Sequence, residues 1–159
     1  MSFVDQRRAL VDEVAEEVRD LLSATGGGGL PRAVTDAMRR VPREQFVPAG
    51  QSAPPYLNAP PPTGCEQTIS QPLIVALMTH LLAVGEQHTV LEIGTGSGYQ
   101  AAILSEIVRH VYTVEVIPSL ANDARDRLHA HGYRNVTVHT GNGAAGWPDH
   151  APYDGIIVT

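Results

Sequence analysis

Apolar residues recur at helical spacing from the start of the chain. Val4, Leu10, Val11, Val14, Val18, Leu21 and Leu22 predict an amphipathic helix over residues 3–23. The glycines of "TGGGGLP", 25–31, end that pattern and make a flexible joint. A short helix is predicted after Pro31, with Val34, Met38 and Val41 on one face. Residues 41–64 contain seven prolines, too many for regular structure, and read as an ordered arm lying across the core. Pro72 suits the first turn of a further helix over 72–82, where its missing N–H leaves no bond unmade.

From His88 the pattern changes. "HTVLEI" at 88–93, "HVYTVEV" at 110–116, "NVTVHT" at 135–140 and "YDGIIVT" at 153–159 read as strands, and 98–109 and 118–131 as the helices between them. Strand and helix alternate, which predicts an α/β fold: a parallel sheet with helices on both faces. The expected organisation is one globular unit. Residues 1–64 supply N-terminal helices and the proline-rich arm, and 65–159 the Rossmann-like core.

Composition narrows the chemistry. The 159 residues contain 11 arginines and no lysine, which removes any mechanism needing a lysine amine. A net charge of −6 leaves no basic footprint for nucleic acid, and no apolar run approaches the ~18 residues of a membrane span. Cys65 is the only cysteine and cannot form an internal disulfide. With the charged N-terminus, unlike a signal peptide, this points to the cytoplasm. The seven histidines show no metal-ligand spacing with cysteine, so no metal is expected; His129 and His131, two apart, face different sides of a helix.

The chemistry concentrates in "LEIGTGSGYQAAIL", 91–104, where strand meets helix. Glycine at such a turn permits tight bending and close approach of the main chain to a ligand. The dinucleotide pattern G-x-G-x-x-G would put its third glycine where Tyr99 stands. Here the pattern is E-x-G-x-G-x-G, with Glu92, Gly94, Gly96 and Gly98. Glu115 ends the next strand, 21 residues after Gly94, where a carboxylate accepts hydrogen bonds from both hydroxyls of a ribose. Either nucleotide type wants that acid, so the glycine spacing discriminates. The compact form resembles the first motif of S-adenosyl-L-methionine-dependent methyltransferases. There Glu92 would lie near the cationic end of the cofactor, where a pyrophosphate would be repelled.

Segments upstream and downstream extend the likeness. "PPTGCEQTISQPLIVALMTHLL" at 61–82, "VPREQFVP" at 41–48, "VYTVE" at 111–115 and "GNGAAGWPDHAPYDGIIVT" at 141–159 resemble the protein-L-isoaspartate O-methyltransferase family. The segment Gln67–Pro72 is the most specific of these. The resemblance implies methyl transfer from S-adenosyl-L-methionine to the free carboxylate of isoaspartyl residues in damaged proteins or peptides. The ester then collapses to a succinimide that reopens partly to normal aspartate. It also implies that Ser70 is the active-site serine, that Thr68 and Ile69 line the cofactor and substrate pocket, and that Glu92, Gly94, Thr95, Gly96, Gly98, Glu115, Asn142 and Gly143 hold the cofactor. Asn142 and Gly143 match an Asp-Gly pair near the adenine. Val75 falls where some relatives use a histidine.

An isoaspartyl carboxylate is ionised at neutral pH and is its own nucleophile, so the chemistry needs alignment rather than a general base. Ser70 would donate a hydrogen bond that holds this carboxylate, or cap the helix beginning at Pro72. Cys65-Glu66 replaces a small or His-Gly pair of the family; Cys65 either touches substrate or packs as a small residue. Asn142 lacks the charge of the family's acid, which weakens the expected grip on adenine. The chain stops inside the fourth strand, whereas relatives continue, so it reads as a piece of a longer protein lacking the C-terminal strands. Other readings are a carboxylate methyltransferase acting on a different peptide, or a cofactor-binding module without catalysis. An NAD-dependent oxidoreductase is disfavoured by the glycine spacing. The oligomeric state is not encoded in any of these features.

Overall fold

The computed structural model describes residues 1–47, 54–58 and 69–159. The chain divides into two compact units, Met1–Leu81 and Leu82–Thr159. Residues 70 and 73 are hydrogen-bonded to Arg43 and Asn58 within the first unit.

In the first unit, helix α1 spans Phe3–Ser23. Ser2 starts it with a reciprocal capping box: its hydroxyl accepts from the Asp5 amide while the Asp5 carboxylate accepts from Ser2. These bonds hold the Asp5 carboxyl below its ordinary value. Leu10, Val11, Val14 and Val18 are buried, whereas Val4 and Leu21, expected on the same face, are exposed. Helix α2, Arg32–Arg40, packs on α1 through Val34, Ala37 and Met38, and Val41 closes its end with an extended backbone. A single 3-10 turn at Arg43–Gln45 follows, then Phe46, which is fully buried. Burying such a side chain contributes about 1.5–3 kcal/mol.

Of the proline-rich arm, residues 54–58 are described. They are tied to α1 and the 3-10 turn by side chains rather than by secondary structure. Tyr56 Oη donates to Glu44 and accepts from Arg7 Nε at 2.9 Å, and Arg7 pairs with Glu44 at 3.1 Å. Burial first, then the bond to Glu44, pushes the Tyr56 phenol up to about 12. Helix α3 runs from Pro72 to Leu82, as its leading proline predicts.

The second unit is a four-stranded parallel sheet in the order β3-β2-β1-β4, with β1 Thr89–Ile93, β2 His110–Glu115, β3 Val136–Thr140 and β4 Gly155–Val158. Helices α4 (Tyr99–Ser105) and α5 (Pro118–Ala130) join β1 to β2 and β2 to β3. Both steps move the same way along the sheet, so right-handed crossovers put both helices on one face. The β3–β4 connection returns across the other face in two 3-10 turns, Gly143–Ala145 and Pro148–His150. There Tyr112 of β2 stacks on His150 at 4.1 Å and meets Trp147 edge-on at 5.4 Å. Helix α4 is shorter than the predicted 98–109. Gly98 adopts a left-handed conformation (φ 87°) and stays outside the helix, while Glu106 and Ile107 turn into tighter bonds to Ile103 and Leu104. Among the described residues no helix is long and apolar enough to cross a membrane.

Candidate functional site

The glycine loop leaves β1 at its C-terminal end, the edge of a parallel sheet where ligands bind. Gly94, Gly96 and Gly98 all have positive φ, at 97°, 52° and 87°. The first is demanded by space as well, and the last sits close against a leucine. A Cβ on Gly94 would lie 2.5 Å from the Thr159 carbonyl oxygen, and one on Gly98 would press on Leu128 at 3.3 Å. Gly96 differs: nothing lies within 4 Å of where its Cβ would be. The turn thus presents bare main chain to open space at its middle glycine.

Glu115 holds this turn in place. Its Oε2 accepts from the Gly96 amide at 2.9 Å and its Oε1 from the Ile117 amide at 3.1 Å. Each carboxylate oxygen has a second lone pair, so the group can still accept from a diol. The register of the sheet sets Glu92 directly beside Thr113. Thr113 Oγ1 donates to Glu92 Oε2 at 2.5 Å, and Thr95 Oγ1 lies 2.6 Å from Thr113 Oγ1. A three-residue polar chain therefore fixes the loop from beneath, and Thr95 is buried within it. Glu92 is 0% exposed, and among the described residues its Oε1 has no hydrogen-bond partner. Burial is the main cause that pushes its carboxyl up to about 8, with the nearby Glu115 charge adding to it against the Thr113 bond. Burial thus favours the protonated form of Glu92.

Asn142 is exposed, and its Oδ1 accepts from the Ala144 amide at 3.0 Å, starting the first 3-10 turn. Gly143 must be glycine here, because a Cβ would approach Ile93 Cγ2 to 2.4 Å. Gly94, Thr95, Gly96, Gly98, Glu92 and Glu115 are thus gathered around the ends of β1 and β2, with Gly143 against Ile93.

The remaining candidates belong to the first unit. Ile69 and Val75 are buried, and Ser70 is exposed. Thr68, Cys65 and Glu66 lie outside the described residues. Among the described residues, the helix-capping role considered for Ser70 falls to Asn58. Its Oδ1 accepts from the Leu73 amide in the first turn of α3 at 3.3 Å, and its amide donates to Glu17 at 3.0 Å. Arg43 Nε donates to the Pro55 carbonyl at 2.8 Å and Nη2 to the Ser70 carbonyl at 2.9 Å. Neither Asn58 nor Arg43 stands out in the sequence. The one available signal was polar residues embedded in a proline-rich stretch that had to be held by side chains.

The family model described as "Protein-L-isoaspartate(D-aspartate) O-methyltransferase (PCMT)" matches residues 17–159. Protein-L-isoaspartate O-methyltransferase 2 of Syntrophobacter fumaroxidans is 54% identical over 153 residues, covering 96% of this chain and 62% of its own. Protein-L-isoaspartate O-methyltransferase 2 of Polaromonas sp. is 51% identical over 150 residues, covering 94% and 71%. The chain therefore spans roughly three fifths to seven tenths of the length of these curated relatives. A solved protein-L-isoaspartate O-methyltransferase superposes with a TM-score of 0.72 at 29% identity, over 91% of this chain and 47% of that one. A Plasmodium falciparum structure in complex with S-adenosyl-L-homocysteine shares the fold, with a TM-score of 0.70 at 19% identity over 96% of this chain and 72% of that one. With the family match running from α1 through β4, the chain belongs to the protein-L-isoaspartate(D-aspartate) O-methyltransferase family.

Proposed function

We propose that this chain carries the methyl-donor site and the substrate serine of an enzyme that transfers a methyl group from S-adenosyl-L-methionine to isoaspartyl carboxylates in damaged proteins. The observation that carries this reading is the glycine turn: bare main chain at Gly96, gripped by Glu115, above a buried acid whose Oε1 meets no donor among the described residues. That donor set suits a nucleoside with a cationic tail. Glu115 would take the ribose hydroxyls. Gly96 would let the main chain approach, and Asn142 and Gly143 would border the adenine. Glu92, pushed towards its neutral form by burial, would gain its charge when a cation comes beside it. A pyrophosphate has no comparable partner there. A protein of the same fold holds S-adenosyl-L-homocysteine, which accords with the assignment.

The reaction asks little of side chains. A carboxylate oxygen of the isoaspartyl residue attacks the methyl carbon, the carbon–sulfur bond breaks, and the electron pair returns to sulfur, leaving a neutral thioether. No proton moves. Ser70, exposed and relieved of the capping role by Asn58, would donate its hydroxyl to the carboxylate and hold it in line. Alignment of this kind is worth up to about 7–11 kcal/mol of barrier. Isoaspartyl-containing proteins or peptides are the proposed partners, and a cytoplasmic location accords with the lone cysteine.

The test is methyl transfer from labelled S-adenosyl-L-methionine to an isoaspartyl peptide, with the ordinary aspartyl peptide as control and calorimetry with S-adenosyl-L-homocysteine and NAD beside it. Transfer to the isoaspartyl peptide alone, with S-adenosyl-L-homocysteine bound in preference to NAD, is the expected result. Tighter NAD binding would overturn the donor assignment. Equal transfer to both peptides would overturn the substrate assignment.

A further inference from the structure

We propose that Arg43 is the positioning residue for Ser70: by donating to the Pro55 and Ser70 carbonyls at once, its buried guanidinium fixes the main chain that carries the substrate-holding hydroxyl. This rests on the reading of Ser70 given above.

Arg43 is 4% exposed. Burying a guanidinium is costly unless its N–H groups find acceptors. Two of them meet carbonyls that belong to widely separated parts of the chain, 12 and 27 residues from Arg43. The guanidinium is planar, with donors in a rigid fork, so two acceptors that bind it are held at a set distance and angle. One of these is the carbonyl of Ser70 itself. The other is anchored in its turn, because residues 54–58 are fastened through Tyr56 to Arg7 and Glu44 and through Asn58 to Glu17. Asn58 also binds the Leu73 amide, so the main chain is pinned just beyond Ser70 as well. The result is an exposed hydroxyl on a main chain held at the Ser70 carbonyl and again at the Leu73 amide. That is the arrangement required when a reaction depends on alignment rather than on acid–base chemistry.

The experiment compares Arg43→Lys, Ser70→Ala and the double variant. Lysine keeps the charge but presents a point donor, not a fork. Arg43→Gln, an uncharged donor, takes its place if lysine is not accommodated. Hydrogen–deuterium exchange reads the main chain without reference to activity. Arg43→Lys is expected to exchange faster across residues 54–58 and 69–73, with α1 and the sheet strands unchanged. It should bind S-adenosyl-L-homocysteine as the parent does, yet lose on the order of 10²-fold in kcat/KM on the isoaspartyl peptide, the loss that a misplacement of about 1 Å produces. If Arg43 acts through Ser70, the double variant should be no slower than Ser70→Ala alone. Unchanged exchange over 69–73 would overturn the proposal. So would losses that add in full, or a normal rate in Arg43→Lys beside an impaired Ser70→Ala. Normal turnover in Ser70→Ala would instead overturn the reading of Ser70, and with it the proposal, while the exchange data report separately on the Arg43 contacts.

Discussion

Replacing Glu92 with glutamine tests the electrostatics under the glycine turn. The carboxyl has an ordinary value of 4.5 and is held at about 8 in the fold, chiefly by complete burial. Its folded value lies above its unfolded one, so the folded state keeps the proton longer. The stability tied to that proton is fully present below pH 4.5, falls as pH rises towards 8, and levels off above. Each pH unit within this window withdraws about 1.4 kcal/mol, so going from pH 5 to pH 8 should remove about 3–4 kcal/mol. That is a large share of the ~5–15 kcal/mol that typically holds a domain together. Glutamine has nearly the same shape, can accept from Thr113 and carries no titrating proton. The assay is urea unfolding of both proteins at pH 5, 6, 7 and 8. His110, whose imidazole is pushed down by burial and by His150 and Arg109, titrates in both proteins and cancels in the difference. The expected outcome is that Glu92→Gln gains on the parent steadily with pH and is the more stable protein at pH 8. Parallel curves, differing by less than about 1 kcal/mol across the range, would show that Glu92 ionises like an ordinary carboxyl and would refute the argument.

Four other substitutions probe the two units. Gly94→Ala places a Cβ 2.5 Å from a main-chain oxygen at a φ of 97°; backbone strain alone costs about 1–3 kcal/mol, so a lowered melting temperature is expected, and an unchanged one would contradict the geometry. Glu115→Ala removes the acceptor for two amides and for the proposed ribose contact. A charge-assisted bond contributes about 1.5–3 kcal/mol, so calorimetry should show at least roughly tenfold weaker S-adenosyl-L-homocysteine binding, and unchanged affinity in a folded variant would take Glu115 off the ribose. Asn58→Ala should lose about 0.5–2 kcal/mol of stability as a helix cap, whereas Ser70→Ala should melt as the parent does and lose turnover; the reverse pattern would return the cap to Ser70.

The amino-acid sequence by itself determined the elements and the turn between them. Apolar spacing marked α1 and α2, a proline in the first turn marked α3, and strand–helix alternation marked the parallel sheet, because these signals act between residues a few positions apart. Three glycines at alternate positions likewise announced a backbone that only glycine adopts easily. The tertiary structure decided what each polar side chain does. Asn58, not Ser70, binds the first turn of α3 among the described residues, because its Oδ1 and the Leu73 amide are brought together from 15 positions apart. Arg7 meets Tyr56 across 49 positions, and Arg43 meets Ser70 across 27. The Glu92 carboxyl is pushed towards its neutral form by complete burial, although strand pairing sets it beside the Thr113 donor 21 positions away. No local pattern encodes such meetings: they depend on which surfaces are closed off from water once the chain has folded, and burial then sets both the charge of an acid and the value of a hydrogen bond.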